Sequence, residues 1–194
     1  MFFALLLVLS SVLGLSAADK QLELAVEDKV AQAKIPGMVA AITSSSGVLA
    51  IGSAGVRNNG SEEKFAEDDL VHLGSCTKAM TSVLMATLVD EGKLTWETSL
   101  ISVLPELKGK IHPDHHAVTV WQLLTHRAGM ESDPVNWWIH RKMDLKMRRL
   151  AILNASLRMA PTRKQGEYHY SNLGYLIAGC MAEKITGTTW ESLM

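Results

Sequence analysis

The stretch HLGSCTKAM at residues 72–80 places Ser75 and Lys78 three residues apart, directly after a glycine. On a helix this spacing puts both side chains on one face. A serine hydroxyl beside an amine can act as a nucleophile next to its base. The same pattern is expected about once by chance in a chain of this length, and it recurs at Ser61 and Lys64. The surroundings of each pair must therefore decide between catalysis and a serine that only caps a helix.

The residues that follow Ser75 predict a helix. The segment SCTKAMTSVLMATLVDEGKL has apolar residues on almost every side up to Gly92, which predicts that the helix is largely buried. Burial and the positive end of the helix dipole would both favour a neutral Lys78 amine, which could then accept the Ser75 proton. The Ser75 N–H, at the helix N-terminus, could supply half of an oxyanion hole. By contrast, Ser61 and Lys64 lie in the polar segment NNGSEEKFAEDD with no apolar helix after them.

A second group of polar residues lies in EYHYSNLGY at residues 167–175, just before another apolar helix. Tyr170 near a cationic lysine can shift toward phenolate and transfer protons, and the Asn172 amide can hold both a lysine and a substrate carbonyl. The alternative is structural: a tyrosine ring packed on the core and an asparagine that caps the next helix.

The remaining elements follow from periodicity and turn residues. An amphipathic helix is predicted over residues 19–34 and ends at Pro36 and Gly37. Two short apolar runs around a Ser/Gly turn predict a β-hairpin with strands at 38–42 and 48–51. Further helices are predicted at 118–130, 137–158 and 173–187, and another begins after Gly187.

Composition limits the classes of function. The chain has 194 residues, of which 47% are hydrophobic and 20% charged, and its net charge of −1 gives no basic surface for nucleic acid. The basic stretch HRKMDLKMRR at 140–149 is interpreted as the water-facing side of an amphipathic helix. A helix that binds a membrane surface or a protein partner is the alternative.

The N-terminus is typical of an export signal. An uncharged apolar run from Phe2 to Val12 is too short to span a bilayer. Small residues at 16–18 suit cleavage before Asp19, although no Lys or Arg precedes the run. Residues 1–18 are therefore predicted to be a signal peptide, the mature protein is expected in the periplasm or outside the cell, and no stable membrane span remains. A buried N-terminal helix is the alternative.

Other chemistries have less support. Cys76 and Cys180 lie in apolar helical patterns and are expected to be free thiols. The segment HPDHH at 112–116 matches no established zinc spacing, so no metal is expected there. His126 and His169 are expected to pack or hydrogen-bond locally. No G-x-S-x-G elbow or glycine-rich phosphate loop occurs, and no cofactor is expected.

Together the segments resemble the serine β-lactamase and penicillin-binding-protein superfamily, and within it the class C β-lactamase-like branch, which includes esterases and D-amino-acid peptidases. Ser75-Cys76-Thr77-Lys78 matches its S-x-x-K motif, and Tyr170-Ser171-Asn172 matches its Y-x-N motif. The segments IPGMVAAI, VTVWQLLTHRAGM and YSNLGYLIAGCMAEKITG occur in the family's order. The likeness extends from about Gln21 to the last residue.

The resemblance implies an α+β fold with an antiparallel sheet flanked by helices and a helical subdomain on one face. It implies that Ser75 is the acylated nucleophile, that Lys78 and Tyr170 share the proton transfer, and that Asn172 positions substrate. Which of Lys78 and Tyr170 is the base stays open. The substrate would be a small molecule or peptide with an amide or ester carbonyl: a β-lactam, a D-amino-acid peptide or a small ester.

One part of the family pattern does not occur. Members carry a third motif, K-T-G or H-x-G, on a strand well downstream that also supplies the second oxyanion donor. The segment KITG at 184–187 lies only about a dozen residues after Asn172 and ends a helix, so it does not fill this role. Residues 19–194 are therefore expected to be the N-terminal part of an incomplete domain whose C-terminal strands are missing from this chain. The alternative function is that of a non-catalytic, scaffolding relative.

Overall fold

The computed structural model describes residues 16–135, 138 and 141–194. Its contacts divide the chain into two units, residues 1–72 and residues 73–194. Most of the predicted signal peptide lies outside the described residues. Within the described residues, no helix is both long and apolar enough to cross a membrane.

The first unit begins with helix α1, Ala17–Ala33. The Ser16 hydroxyl accepts a hydrogen bond from the Asp19 N–H, and the Asp19 carboxylate accepts one from the Ser16 N–H, so the two residues form a capping box. The helix ends where Lys34 adopts a left-handed conformation. This confirms the predicted helix to within two residues at each end.

Strands β1, Gly37–Ser44, and β2, Gly47–Gly55, form the predicted antiparallel hairpin. Helix α1 lies against β2, and the Asp19 carboxylate also accepts a hydrogen bond from the Ile51 N–H at 3.0 Å. Gly52 makes this close approach possible because a Cβ at that position would lie 2.7 Å from the Glu23 backbone nitrogen. The first unit is thus a helix packed on a two-stranded sheet.

The second unit is helical in its described part. A 3₁₀ turn at Gly74–Cys76 leads into the first of its α-helices. The helices are α2 (Thr77–Asp90), α3 (Leu100–Val103), α4 (Val120–Leu124), α5 (Leu145–Ser156), α6 (Asn172–Thr186) and α7 (Trp190–Leu193).

Helix α6 lies at the centre of this unit. It contacts α2, α3, α4, α5 and α7, and most of its residues from Leu173 to Glu183 are buried. The core around it contains the fully buried side chains of Met85, Leu123, Ile177 and Met181. Burial of this apolar surface is the main stabilising contribution to the unit.

Two helix boundaries differ from the sequence predictions. The helix predicted at 118–130 ends at Leu124, because the chain turns at His126, which has a φ of 60°. The helix predicted at 137–158 begins at Leu145, where the Asp144 carboxylate accepts hydrogen bonds from two N–H groups of the first turn. Residues 137, 139 and 140 of that prediction lie outside the described residues.

One prediction about burial was wrong, and a second holds except at the end of its segment. Helix α2 buries Thr81, Met85 and Leu88, but Met80 and Val83 on its other side are exposed, because helices of the unit cover only one face. The basic stretch is exposed over residues 141–147, as interpreted, but the Arg149 side chain at its end is only 18% exposed and pairs with Glu183.

The Glu183 carboxylate, 3% exposed, joins three helices. Its Oε1 accepts hydrogen bonds from Arg149 Nη1 of α5 at 2.7 Å and from the Trp190 N–H of α7 at 2.9 Å. Arg149 also pairs with Glu191. The Trp190 indole N–H donates to Thr81 Oγ1 of α2 at 3.2 Å. A buried charge in such a network must keep its partner, because an unpaired buried charge is strongly destabilising.

We therefore expect Glu183→Gln to lower the free energy of unfolding by about 3 kcal/mol, because it leaves the half-buried Arg149 charge with only one carboxylate. Urea denaturation followed by circular dichroism measures the loss. Lys184→Gln is the matched control, since the exposed Lys184–Glu106 pair in the same helix should contribute at most about 1 kcal/mol. Equal losses in the two variants would show that the Glu183 network does not stabilise the fold.

Candidate active site

Ser75 lies in the 3₁₀ turn that leads into α2, and its side chain is exposed. Gly74 before it has a φ of 55°, a left-handed conformation that glycine adopts without strain. Lys78, one turn later, directs its Nζ to Ser75 Oγ at 3.2 Å. The predicted pairing of the two side chains on one helix face is therefore present.

Tyr170 and Asn172 reach the same place from a distant part of the sequence. The Tyr170 hydroxyl donates to Ser75 Oγ at 2.7 Å. Lys78 Nζ donates to Asn172 Oδ1 at 2.6 Å and lies 4.8 Å from the centre of the Tyr170 ring. The structure thus brings the four predicted site residues together: Lys78 and Tyr170 contact the Ser75 hydroxyl, and Asn172 contacts Lys78.

Asn172 is the first residue of α6, so its position is set by how that helix starts. Its N–H donates to the Ser132 carbonyl at 2.6 Å, and its side-chain Nδ2 donates to Asp133 Oδ1 at 2.7 Å. Ser171, the cap of α6, accepts from the Gly174 N–H and donates to the Glu131 carbonyl. The 131–133 segment therefore fixes the orientation of the Asn172 amide, with its oxygen toward Lys78.

The charges around Tyr170 act in opposite directions. The interaction of its hydroxyl with Lys78 lowers the pKa of Tyr170, and the hydrogen bond with Ser75 adds to this effect. The Asp133 carboxylate raises it, but the net shift is downward. A lowered pKa makes the phenolate easier to form, which is what a proton acceptor beside Ser75 requires.

His126 contacts Tyr170 and Ser171 at the site, which the sequence analysis did not predict, since it expected His126 to pack or hydrogen-bond locally. Its Nδ1 accepts a hydrogen bond from the Ser171 N–H at 3.0 Å, and its ring lies 4.5 Å from the Tyr170 ring. Burial and the nearby Lys78 charge lower the pKa of His126. The lowered pKa favours the neutral ring, in which Nδ1 can accept the hydrogen bond from the Ser171 N–H. Its left-handed φ, unusual for a residue other than glycine, orients it for these contacts.

Tyr175 is a second residue that the sequence did not single out. Its hydroxyl donates to the Leu124 carbonyl at 2.9 Å and lies 3.0 Å from Ser82 Oγ, so it links α6 to α4 and α2. Gly174 beside it allows close contact with α4, because a Cβ there would lie 3.1 Å from the Leu123 carbonyl oxygen. The sequence signal for Tyr175 was its place within YSNLGY, but its partners Leu124 and Ser82 lie 51 and 93 positions away.

The second S-x-x-K match has no comparable surroundings. The Ser61 hydroxyl accepts a hydrogen bond from the Glu63 N–H at 3.0 Å, as serines in turns commonly do. No α-helix or strand includes Ser61. The structural surroundings therefore separate the two motifs as the sequence predicted.

The two cysteines and His115, which the sequence analysis also considered, lie outside the group around Ser75. Cys76 and Cys180 are both free thiols, as predicted, and burial raises the pKa of Cys180 to about 12. The His115 ring is buried, and its Nε2 lies 2.9 Å from the Met159 carbonyl. Among the described residues, no group of three or more His, Cys, Asp or Glu side chains is placed to hold a metal ion.

Comparison with known proteins identifies relatives of this chain. The β-lactamase family model matches residues 22–194. The chain is 28% identical over 185 residues to a β-lactamase of Providencia stuartii, an alignment that covers 95% of this chain and 45% of that protein.

Solved structures give the same result for the fold. A penicillin-binding protein homologue from Caulobacter crescentus is 27% identical, with a TM-score of 0.67 over 92% of this chain and 47% of that one. A class C β-lactamase from Rhodobacter sphaeroides is 22% identical, with a TM-score of 0.66 over 92% and 46%, a likeness of fold alone. The predicted α+β β-lactamase fold is confirmed, and the chain spans about half the length of these relatives.

The electrostatics of the site can be tested through the titration of Tyr170. We expect Lys78→Met to raise the pKa of Tyr170, because it removes the group that contributes most to the downward shift. Asp133→Asn should lower the pKa further, because that carboxylate opposes the shift. Ultraviolet difference titration measures phenolate formation, and Tyr170→Phe assigns the signal among the three tyrosines. Shifts of the same sign in both variants would contradict the assignment.

Proposed function

The chain belongs to the β-lactamase family, and we propose that it forms part of a serine hydrolase that works through an acyl-enzyme. The observation that carries the proposal is the position of Ser75 Oγ, within hydrogen-bond distance of both Lys78 Nζ and the Tyr170 hydroxyl. A nucleophile flanked by two proton-transfer groups is the arrangement that acyl transfer to serine requires.

In the proposed reaction, Ser75 Oγ attacks a carbonyl carbon as its proton passes to Tyr170 or Lys78. The tetrahedral intermediate then collapses, the bond to the leaving nitrogen or oxygen breaks, and the leaving group takes up that proton. Water next attacks the acyl carbon, gives a proton to the same groups and releases the acid, while Ser75 regains its proton. Tyr170 suits the role of acceptor because its pKa is lowered and its hydroxyl is 2.7 Å from the nucleophile.

Asn172 is proposed to position the substrate. Its Nδ2 carries two N–H groups, of which one donates to Asp133, so the other remains for a substrate carbonyl. Its oxygen is held by Lys78 at 2.6 Å, which prevents the amide from rotating. A donor held in this way lowers the entropic cost of aligning the carbonyl with Ser75.

The substrate class is proposed as an amide or ester carbonyl in a β-lactam, a D-amino-acid peptide or a small ester. Hydrolysis of nitrocefin, p-nitrophenyl esters and D-Ala dipeptides by the whole protein distinguishes the three. We also infer export of the protein, because the apolar run from Phe2 to Val12 and the small residues at 16–18 suit a cleaved signal peptide. N-terminal sequencing of the mature protein, expected to start at Asp19, tests the inference.

A second candidate is that these 194 residues alone are inactive, or that the whole protein is a non-catalytic relative. The exposed side chains of Met80 and Val83 on α2, the helix that Ser75 precedes, favour the first of these possibilities. The exposed side chains of Ile42, Val48 and Leu49 on the hairpin of the first unit favour it as well. Exposed apolar surface of this kind promotes association.

Ser75→Ala should abolish covalent labelling of the whole protein by a fluorescent penicillin or a fluorophosphonate, because no other hydroxyl lies between Lys78 and Tyr170 in the described residues. Labelling is read from fluorescence after denaturing electrophoresis. Ser61→Ala is the matched control and should be labelled like the wild type. Labelling that survives Ser75→Ala would refute the nucleophile assignment.

The chain from Asp19 to Met194, expressed alone, should hydrolyse nitrocefin or an aryl ester at least about a hundredfold more slowly than a longer form of the protein. The reason is that loss of one oxyanion donor typically costs about 10²–10³ in rate. Size-exclusion chromatography should show association of the short form. A monomeric short form with rates equal to the longer form would contradict the expectation.

A further inference from the structure

A cavity of about 400 Å³ opens beside Asn172. Asp133 and Asn172 line one part of it, and Arg148 of α5 lines another. Its apolar wall comes from Pro134, Ile152 and Leu176. Its volume lies near the lower end of the range of roughly 300–1,000 Å³ that is typical of small-molecule pockets.

The charged groups of this cavity do not neutralise each other. Arg148 and Asp133, both described, form no ion pair with one another within 4.0 Å. Arg149, the other guanidinium at the cavity, is already paired with Glu183 and Glu191. Among the described residues, the Arg148 side chain has no carboxylate partner, although it is only partly exposed. One cation and one anion therefore line the same space with room between them.

We propose that this cavity binds the zwitterionic end of an α-amino acid. The Arg148 guanidinium can hold the α-carboxylate through two parallel N–H donors, the geometry that arginine provides for carboxylates. The Asp133 carboxylate, whose Oδ1 already accepts from Asn172, uses its other oxygen for the α-ammonium. Pro134, Ile152 and Leu176 contact the aliphatic part of the amino acid.

Both charges are needed for selectivity. A ligand with only a carboxylate is attracted by Arg148 but repelled by Asp133. A ligand with only an ammonium group is attracted by Asp133 but repelled by Arg148. A zwitterion satisfies both groups, so the cavity discriminates by repulsion as well as by attraction. Because Asn172 lines the cavity and also accepts a hydrogen bond from Lys78, the preferred substrates would be acyl compounds that carry a free α-amino-acid group on a side chain, since a peptide terminus keeps only one of the two charges; this last step rests on the proposed function.

Three small ligands with the same aliphatic chain test the proposal on the whole protein. Norvaline carries both charges, pentanoate lacks the ammonium group and butylamine lacks the carboxylate. Titrations followed by NMR chemical shifts should give a dissociation constant for norvaline at least about tenfold below those of the other two, since hydrogen bonds to charged groups are the stronger ones. Norvaline that binds no more tightly than pentanoate or butylamine overturns the proposal.

Two variants locate the binding. Arg148→Gln should weaken the binding of norvaline about tenfold, and it should also weaken the binding of pentanoate. Asp133→Asn should weaken the binding of norvaline but strengthen the binding of pentanoate. Lys146→Gln on the same helix is the matched control and should leave all three constants unchanged, since Lys146 does not line this cavity. An unchanged norvaline constant in Arg148→Gln contradicts the assignment.

The same titrations separate this proposal from the catalytic one. Ser75→Ala should leave the norvaline dissociation constant unchanged, because Ser75 does not line the cavity. Norvaline binding together with no acyl-enzyme in the whole protein would refute the hydrolase and leave the cavity assignment intact. Acylation of Ser75 without selective norvaline binding would refute the cavity assignment and leave the hydrolase intact.

Discussion

The hydrogen bond from Lys78 to the Asn172 oxygen, 2.6 Å long, joins the N-termini of helices α2 and α6 and sets the rest of the site. The two residues lie 94 positions apart, so only the packing of the two helices can bring them together. Because Lys78 also donates to Ser75, the position of the hydroxyl depends on the same amine. A displacement of either helix would separate the proton-transfer groups from the nucleophile.

The core explains why this contact can be maintained. Helix α6 is buried along most of its length and contacts α2, α4 and α5, so its first residue is held from several sides. Gly174 allows the close approach to α4, and the Glu183 carboxylate links the far end of α6 to α5 and α7. Close-packed interiors transmit displacements rather than absorb them. The geometry at Asn172 is therefore a property of the whole helical unit.

The sequence predicted the features that local chemistry determines. Periodicity and turn residues predicted helix α1 and the hairpin, and the S-x-x-K and Y-x-N motifs identified four residues that the structure brings together. It could not predict the left-handed φ of His126 or the contact of Asp133 with Asn172, because both depend on chain segments tens of residues apart. For the same reason the sequence analysis expected Arg149 to be exposed to water, although its guanidinium pairs with the buried Glu183 of α6.

The side-chain amide of Asn172 lies between two groups of opposite charge. Lys78 lowers the pKa of Tyr170 and Asp133 raises it, and Asn172 is hydrogen-bonded to both, with its oxygen toward the cation and its nitrogen toward the anion. Reversing the amide would place a donor against the ammonium group and an acceptor against the carboxylate, and both contacts would be lost. The two charges therefore orient Asn172 by themselves, and an uncharged residue at either position would leave the amide free to turn away from a substrate carbonyl.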